Sequence, residues 1–156
     1  MSFLDKDMAM EAVELAEPTI SGLLERHGTR RDFHLIVSRR TGDAFEIVYE
    51  FSFGHDDEAC DSKYKPIAEA KSAISARTGK DTRVVQLLHP EELEVGDVTY
   101  WGSVIQGDII VAGSGVQAFF DETIAKVVMA IIIGLIEKKR GLLEQNAKVQ
   151  GKPYYM

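Results

Sequence analysis

A chain of 156 residues, 45% apolar and 28% charged, suits one folded domain with a substantial core and excludes long-range disorder. Its net charge of -7 argues against DNA or RNA as a partner, because phosphate binding rests on clustered Lys and Arg. The single cysteine, Cys60, excludes an internal disulfide, and no CxxC or paired His/Cys spacing points to zinc.

Residues 1–7 show no basic stretch followed by an apolar core, so no secretory leader is expected and a cytoplasmic location is. Asp5 to Arg26 has helical spacing in Met8, Ala12, Leu15 and Ala16. Ile20, Leu23 and Leu24 continue the pattern beyond Pro18, which either kinks the helix or opens a second one. Gly28 closes it, and His27 sits where a protonated imidazole meets the negative end of the helix dipole.

Phe33 to Ser38 and Ala44 to Phe51 read as strands joined through Arg39-Arg40-Thr41-Gly42-Asp43, a hairpin signal. Phe53 to Asp61 follows as a polar loop whose His55, Asp56, Asp57 and Glu58 are the one local cluster resembling metal ligands, without a calcium-loop pattern. Lys63 to Arg77 is a second helix, rich in small residues, with Pro66 in its first turn. Val84 to Leu88 reads as a short strand or extended segment, and an acidic excursion from His89 to Asp97 follows.

Val98 to Ile105 and Asp108 to Ala112 form a second hairpin across Gln106-Gly107. The chain then turns through Gly113-Ser114-Gly115 and resumes as a helix near Gln117 or Ala118, running to about Arg140. Between Val127 and Ile136 every residue is apolar or glycine, so this helix is expected to be buried on several faces, in part by another subunit. The run falls short of the roughly 20 apolar residues a bilayer requires, so no membrane partner is expected. Residues 1–144 are read as one domain and 145–156 as a flexible tail. The order α-β-β-α-β-β-β-α predicts an α+β fold, a mainly antiparallel five-stranded sheet with flanking helices.

No catalytic constellation is visible. Ser114 lacks the G-x-S-x-G spacing of a nucleophile elbow, and Gly113-Ser-Gly115 does not extend to GxGxxG because position 118 is alanine. The corner is instead a tight strand-to-helix turn whose backbone N–H groups are candidates to meet an anion.

Gly102-Ser-Val-Ile105, Gly107, Ile110-Val-Ala-Gly-Ser-Gly115 and Asp121-Glu-Thr-Ile-Ala125 together resemble the closing motif of the GlcG/HbpS-like family. In that family a hairpin leads to a Ser-Gly corner, and an Asp-Glu pair seven residues after the serine opens the last helix, as Ser114 and Asp121 are spaced here. Ala70-Lys71-Ser-Ala-Ile-Ser-Ala76 and the polar turn Thr78-Gly-Lys-Asp-Thr82 are similar to the family's second helix and its exit. The chain departs from the pattern at Trp101, Val104 and Arg39, which stand where relatives commonly have glycine, proline and aspartate.

The resemblance implies a profilin-like fold and a homo-oligomer, a dimer assembling further and often an octamer. It also implies binding of haem or a related tetrapyrrole, or assistance to glycolate or corrinoid metabolism. Haem-binding relatives use a histidine of the N-terminal helix, which makes His27 the candidate axial ligand. Three readings follow. The first is an oligomeric, non-catalytic binder of a haem-like or other small ligand. The second is an enzyme or accessory factor for a small anionic metabolite, with Gly113, Ser114 and Gly115 as the anion site and Arg39 or Arg40 nearby. The third is a scaffold or interaction subunit.

Overall fold

The computed structural model describes residues 4–28, 32–54, 58 and 60–150. Helix α1 spans Lys6–His27. The Asp5 carboxylate accepts the Met8 N–H at 2.8 Å, satisfying one of the donors that a helix start leaves open. Ala9, Ala12, Val13, Ala16, Ile20 and Leu24 form its buried stripe, at three- and four-residue spacing. Pro18 lies on the solvent side, and a single helix runs through it.

Strands β1 (Phe33–Thr41) and β2 (Ala44–Phe53) form the expected hairpin. Both are longer than predicted, because Arg39, Arg40 and Thr41 belong to the strand and the turn is Gly42-Asp43 alone, with Gly42 at φ 66°. One turn of π-helix, Cys60–Tyr64, leads into α2 (Lys65–Thr78), which Gly79 closes in the left-handed conformation. His55, Asp56, Asp57 and Ala59 of the acidic loop lie outside the described residues.

The next element corrects the expected strand at Val84–Leu88: Thr82–Leu88 is helix α3. A run this short with apolar residues at 84, 85, 87 and 88 fits either period, and its β-branched valines favoured the wrong one. The sheet edge explains why no fifth strand is needed. In β3 (Ser103–Gln106) the Ser103 N–H donates to Thr82 Oγ1 at 3.0 Å and the Ile105 N–H to Asp81 Oδ1 at 2.9 Å. Side chains from the start of α3 thus cap the edge a further strand would have covered. The strand expected from Val98 begins only at Ser103, because Gln86 Nε2 donates to the Val98 and Tyr100 carbonyls, both at 3.1 Å, and holds that segment against α3.

Strand β4 (Ile109–Ser114) pairs with β3 across Gly107-Asp108 and with β1 on its other side. The result is a four-stranded, wholly antiparallel sheet in the order β2-β1-β4-β3. Helix α4 (Ala118–Gln150) does not stop at Gly141, so residues 145–150 of the expected tail are helical and 151–156 lie outside the described residues.

Helices flank both faces of the sheet. Phe33, Leu35, Val37, Ile109 and Val111 pack under α1 and α4, which add Ile20, Ile124, Val128 and Ile132 to the main core. The alternate residues of the same strands, Ile36 and Ala112, meet Ala68 of α2 on the opposite face. Within one chain α4 is covered on one side only: Val128, Met129 and Ile132 are buried, while Ala130 and Gly134 are exposed. Among the described residues no helix is long and apolar enough to cross a membrane.

Candidate functional site

The corner between β4 and α4 closes around a buried ion pair. Lys71, on the sheet-facing side of α2, is 1% exposed. Its Nζ donates to the Gly113 carbonyl at 2.7 Å and to Asp121 Oδ2 at 3.1 Å. Asp121 Oδ1 accepts the Val116 N–H at 2.9 Å, and the Gly115 N–H also points at this carboxylate. Burial lowers the Lys71 pKa and raises that of Asp121, and in each case the opposite charge of the partner resists the shift. The gap between their pKa values is therefore narrower than in water, and moving a proton from Lys71 to Asp121 costs less.

Glycines make room for this arrangement. A Cβ on Gly102, which sits at φ 150°, would lie 2.7 Å from Lys71 Nζ and 2.8 Å from the Gly113 carbonyl oxygen. A Cβ on Gly113 would lie 2.3 Å from Phe33 Cζ. Gly113 is thus required by close packing of a strand rather than by a turn. A buried hydroxyl cluster fixes Gly102 in turn: Thr82 Oγ1 accepts its N–H at 2.9 Å, and Ser103 Oγ bridges the Lys71 carbonyl at 3.0 Å and Ser75 Oγ at 2.6 Å.

Beside the pair opens a cleft of about 470 Å³, within the range of small-molecule sites. Lys63, Tyr64, Ile67 and Lys71 line one side, Ser114 to Ala118 and Asp121 the other, with Tyr100 at the mouth. Two lysines face one aspartate, so the cleft is locally cationic in a chain of net charge -7. Hydroxyl, phenol and amide groups of Ser114, Tyr64, Tyr100 and Gln117 add hydrogen-bond donors.

The residues singled out from sequence are only partly brought together here. Ser114 and Gly115 line the cleft. The corner N–H groups are engaged inside the protein: that of Gly113 donates to the Gly102 carbonyl at 3.0 Å, and those of Gly115 and Val116 face Asp121. An internal carboxylate holds the place proposed for an anion. Arg39 lies toward the other end of β1, five residues from His34, the partner of Ser114, and donates to the Leu4 carbonyl at 2.5 Å. Arg40 donates to the Ala76 carbonyl at 2.7 Å, at the end of α2. Neither arginine lines the cleft.

His27 also lies outside it. Its exposed ring stacks on Phe120, with centroids 4.7 Å apart and planes 20° from parallel. The cleft is lined by no histidine, cysteine or methionine, the usual axial ligands of haem apart from tyrosinate. Of the described residues lining the cleft, Tyr64 and Tyr100 alone carry side chains of a haem-ligating type, and His27 stands outside the cleft, beside Phe120. Among the described residues no group of three or more His, Cys, Asp or Glu is placed to hold a metal ion.

Lys71 as a buried cation was missed by sequence reasoning. One signal was available: a lysine among Ala68, Ala70, Ser72 and Ala73, on the face where a helix turns small residues to a sheet. No protein-family model matches the chain, and no curated protein matches it.

Proposed function

We propose that the chain is an oligomeric binding protein for a small anionic metabolite, of GlcG/HbpS-like kind and profilin-like architecture, with its ligand in the cleft between α2 and the β4–α4 corner. The observation that carries this reading is the buried Lys71, ion-paired to Asp121 in the cleft wall, with a second lysine, Lys63, on the same wall. A cleft lined by one predominant sign of charge concentrates ligands of the opposite sign. Calorimetric titration with small carboxylates such as lactate and glycolate tests it. Binding is expected to weaken severalfold in Lys63→Gln, whose exposed side chain has no part in the core. No heat with any carboxylate, together with a Soret shift on adding haemin that Lys63→Gln keeps and His27→Ala loses, would transfer the site to the His27 surface.

Assembly is supported by α4. Val127, Ala130, Ile131, Gly134 and Leu135 follow one another at helical spacing and are exposed or half-buried in the single chain. The small residues Ala130 and Gly134 permit close approach by a second helix. A Cβ on Gly134 would meet nothing within 4 Å, so Gly134→Glu leaves the monomer intact while placing a charge in that contact. Light scattering is expected to show an oligomer for the natural chain and a monomer for Gly134→Glu. A natural chain that is monomeric at micromolar concentration refutes the assembly.

A further inference from the structure

We propose that Lys71 is a carbonyl-reactive amine and that the cleft takes a small 2-oxo acid, held covalently as an imine on Lys71 Nζ. The inference rests on reading the cleft as an anion site and adds a bond to it.

The geometry around the nitrogen carries it. Beyond its own side chain, Nζ has three positions. Two hold N–H groups directed at the Gly113 carbonyl, 2.7 Å away, and at Asp121 Oδ2, 3.1 Å away. The third is a proton in the ammonium and a lone pair in the amine. Among the described residues Nζ has no protein partner beyond those two, and Lys71 belongs to the cleft wall. At rest the pair is ammonium and carboxylate; transfer of one proton to Asp121 gives the neutral amine, which leaves no buried N–H without an acceptor and whose lone pair is the nucleophile an imine requires. Burial favours the same form, and Asp121 stands beside it to take the proton. Lys65 is a contrast within the same chain: its ammonium lies 2.8 Å from Glu50, which raises its pKa and keeps it protonated.

The bonds balance without a further reactant. Lys71 passes the proton facing Asp121 to that carboxylate, and the amine turns about its Cε–Nζ bond to bring the lone pair to the third position. The lone pair attacks the ligand's carbonyl carbon as the C=O π bond opens to an alkoxide. The alkoxide takes a proton from the nitrogen, giving a carbinolamine. Asp121 then returns its proton to the hydroxyl, which leaves as water while the C=N bond forms. Ammonium and carbonyl have become a protonated imine and water, and Asp121 is again a carboxylate paired with the imine's positive charge. The ligand's carboxylate is left to Lys63 and Gln117 on the cleft wall.

Trapping tests this. The full chain is incubated with pyruvate and sodium cyanoborohydride near neutral pH, then measured by intact mass and peptide mapping. One reduced adduct on Lys71 is expected, formed at least several times faster than on exposed Lys63, because burial that disfavours the ammonium leaves more of the Lys71 amine free to react. Unfolding in urea should abolish that preference, and Lys71→Arg should remove the adduct. Should Lys71→Arg fail to fold, the map of the natural chain decides by itself. Adducts spread over exposed lysines with Lys71 unmodified overturn the proposal. Lactate, which has the carboxylate but no carbonyl, separates the two readings. Lactate binding without a Lys71 adduct keeps the anion site and rejects the imine, whereas no binding of either acid and no adduct rejects both.

Discussion

Removing the Lys71–Asp121 pair one partner at a time, then together, tests the description of the corner most directly. Lys71→Met keeps the volume but strands a carboxylate that is 4% exposed. Breaking a buried pair in this way costs about 3–5 kcal/mol. An independent bound agrees, because Asp121 can escape by taking a proton. Doing so at pH 7 from an ordinary value of 3.8 costs about 4 kcal/mol at about 1.4 kcal/mol per pH unit. Asp121→Asn leaves the lysine stranded, and deprotonating it at pH 7 from 10.5 sets a ceiling near 5 kcal/mol. The double variant carries no buried charge and keeps a side-chain oxygen for the Val116 N–H. Its stability should fall within about 2 kcal/mol of the natural chain. The coupling between the two sites is then at least roughly 3 kcal/mol.

The single variants should also tilt in opposite directions with pH. In Lys71→Met the aspartate pKa, already raised by burial, loses its opposing cation and rises further. Above pH 3.8 the native state then holds a proton that the unfolded chain has lost, so stability falls as pH rises through this window. In Asp121→Asn the lysine pKa, already lowered, falls further. Below pH 10.5 the unfolded chain holds a proton that the native state lacks, so stability rises with pH. Urea unfolding followed by circular dichroism at pH 5, 7 and 9 reads both slopes. Single variants that each cost under about 1 kcal/mol, add without coupling and share one pH slope would refute a buried ion pair here.

Gly113→Ala should destabilise by about 1–3 kcal/mol through the clash with Phe33, read as a lowered melting temperature that Phe33→Leu partly restores. Thr82→Val should cost about 2 kcal/mol or more, since the Gly102 and Ser103 N–H groups both lose their acceptor, and amide exchange at the β3 edge should quicken. His34 is buried against Ser52, and burial lowers its pKa although Glu50 opposes the shift. Below pH 6.5 the unfolded chain therefore binds a proton the native state resists, so stability should drop by up to roughly 2 kcal/mol between pH 7 and 5. Replacing His34 by Gln should flatten that dependence in urea titrations.

What could be read ahead of the structure was whatever depended on periodicity and turn chemistry. Helix α1, the hairpin at Gly42-Asp43, the hairpin at Gly107 and the glycine-marked corner all announce themselves in a few adjacent residues, although the buried stripe of α1 takes Ala9 and Val13 and leaves the expected Leu15 exposed. Helix α3 did not, because seven residues with paired valines satisfy both periods, and the deciding fact is long-range: Asp81 and Thr82 cap β3 some twenty residues away. The last helix runs on beyond Arg140, since a glycine such as Gly141 is tolerated inside an exposed stretch of a long helix for about 1 kcal/mol. The site was legible only in its backbone. Ser114 and Gly115 were found, but the cation and carboxylate that give the corner its chemistry stand fifty positions apart in sequence, and only the pairing of α2 with β4 brings them together.

That pairing bears on why the corner is polar at all. A fold needing only to fill the space between α2 and the sheet would gain from two apolar side chains of similar volume, because desolvating two charges often costs as much as their attraction returns. The chain already places Ile36, Ala68 and Ala112 on that same face, so apolar packing is the local habit, and Lys71 and Asp121 break it. The break occurs where the packing opens into a cleft. It is also fitted closely: Gly102 leaves space for Nζ, the Gly113 carbonyl accepts from it, and two corner N–H groups hold the carboxylate. A charge pair positioned at every atom and set beside a cleft is what the proposed ligand site requires. If the Met/Asn double variant proves as stable as the natural chain yet no longer binds small carboxylates, stability and function will have been separated at this one pair.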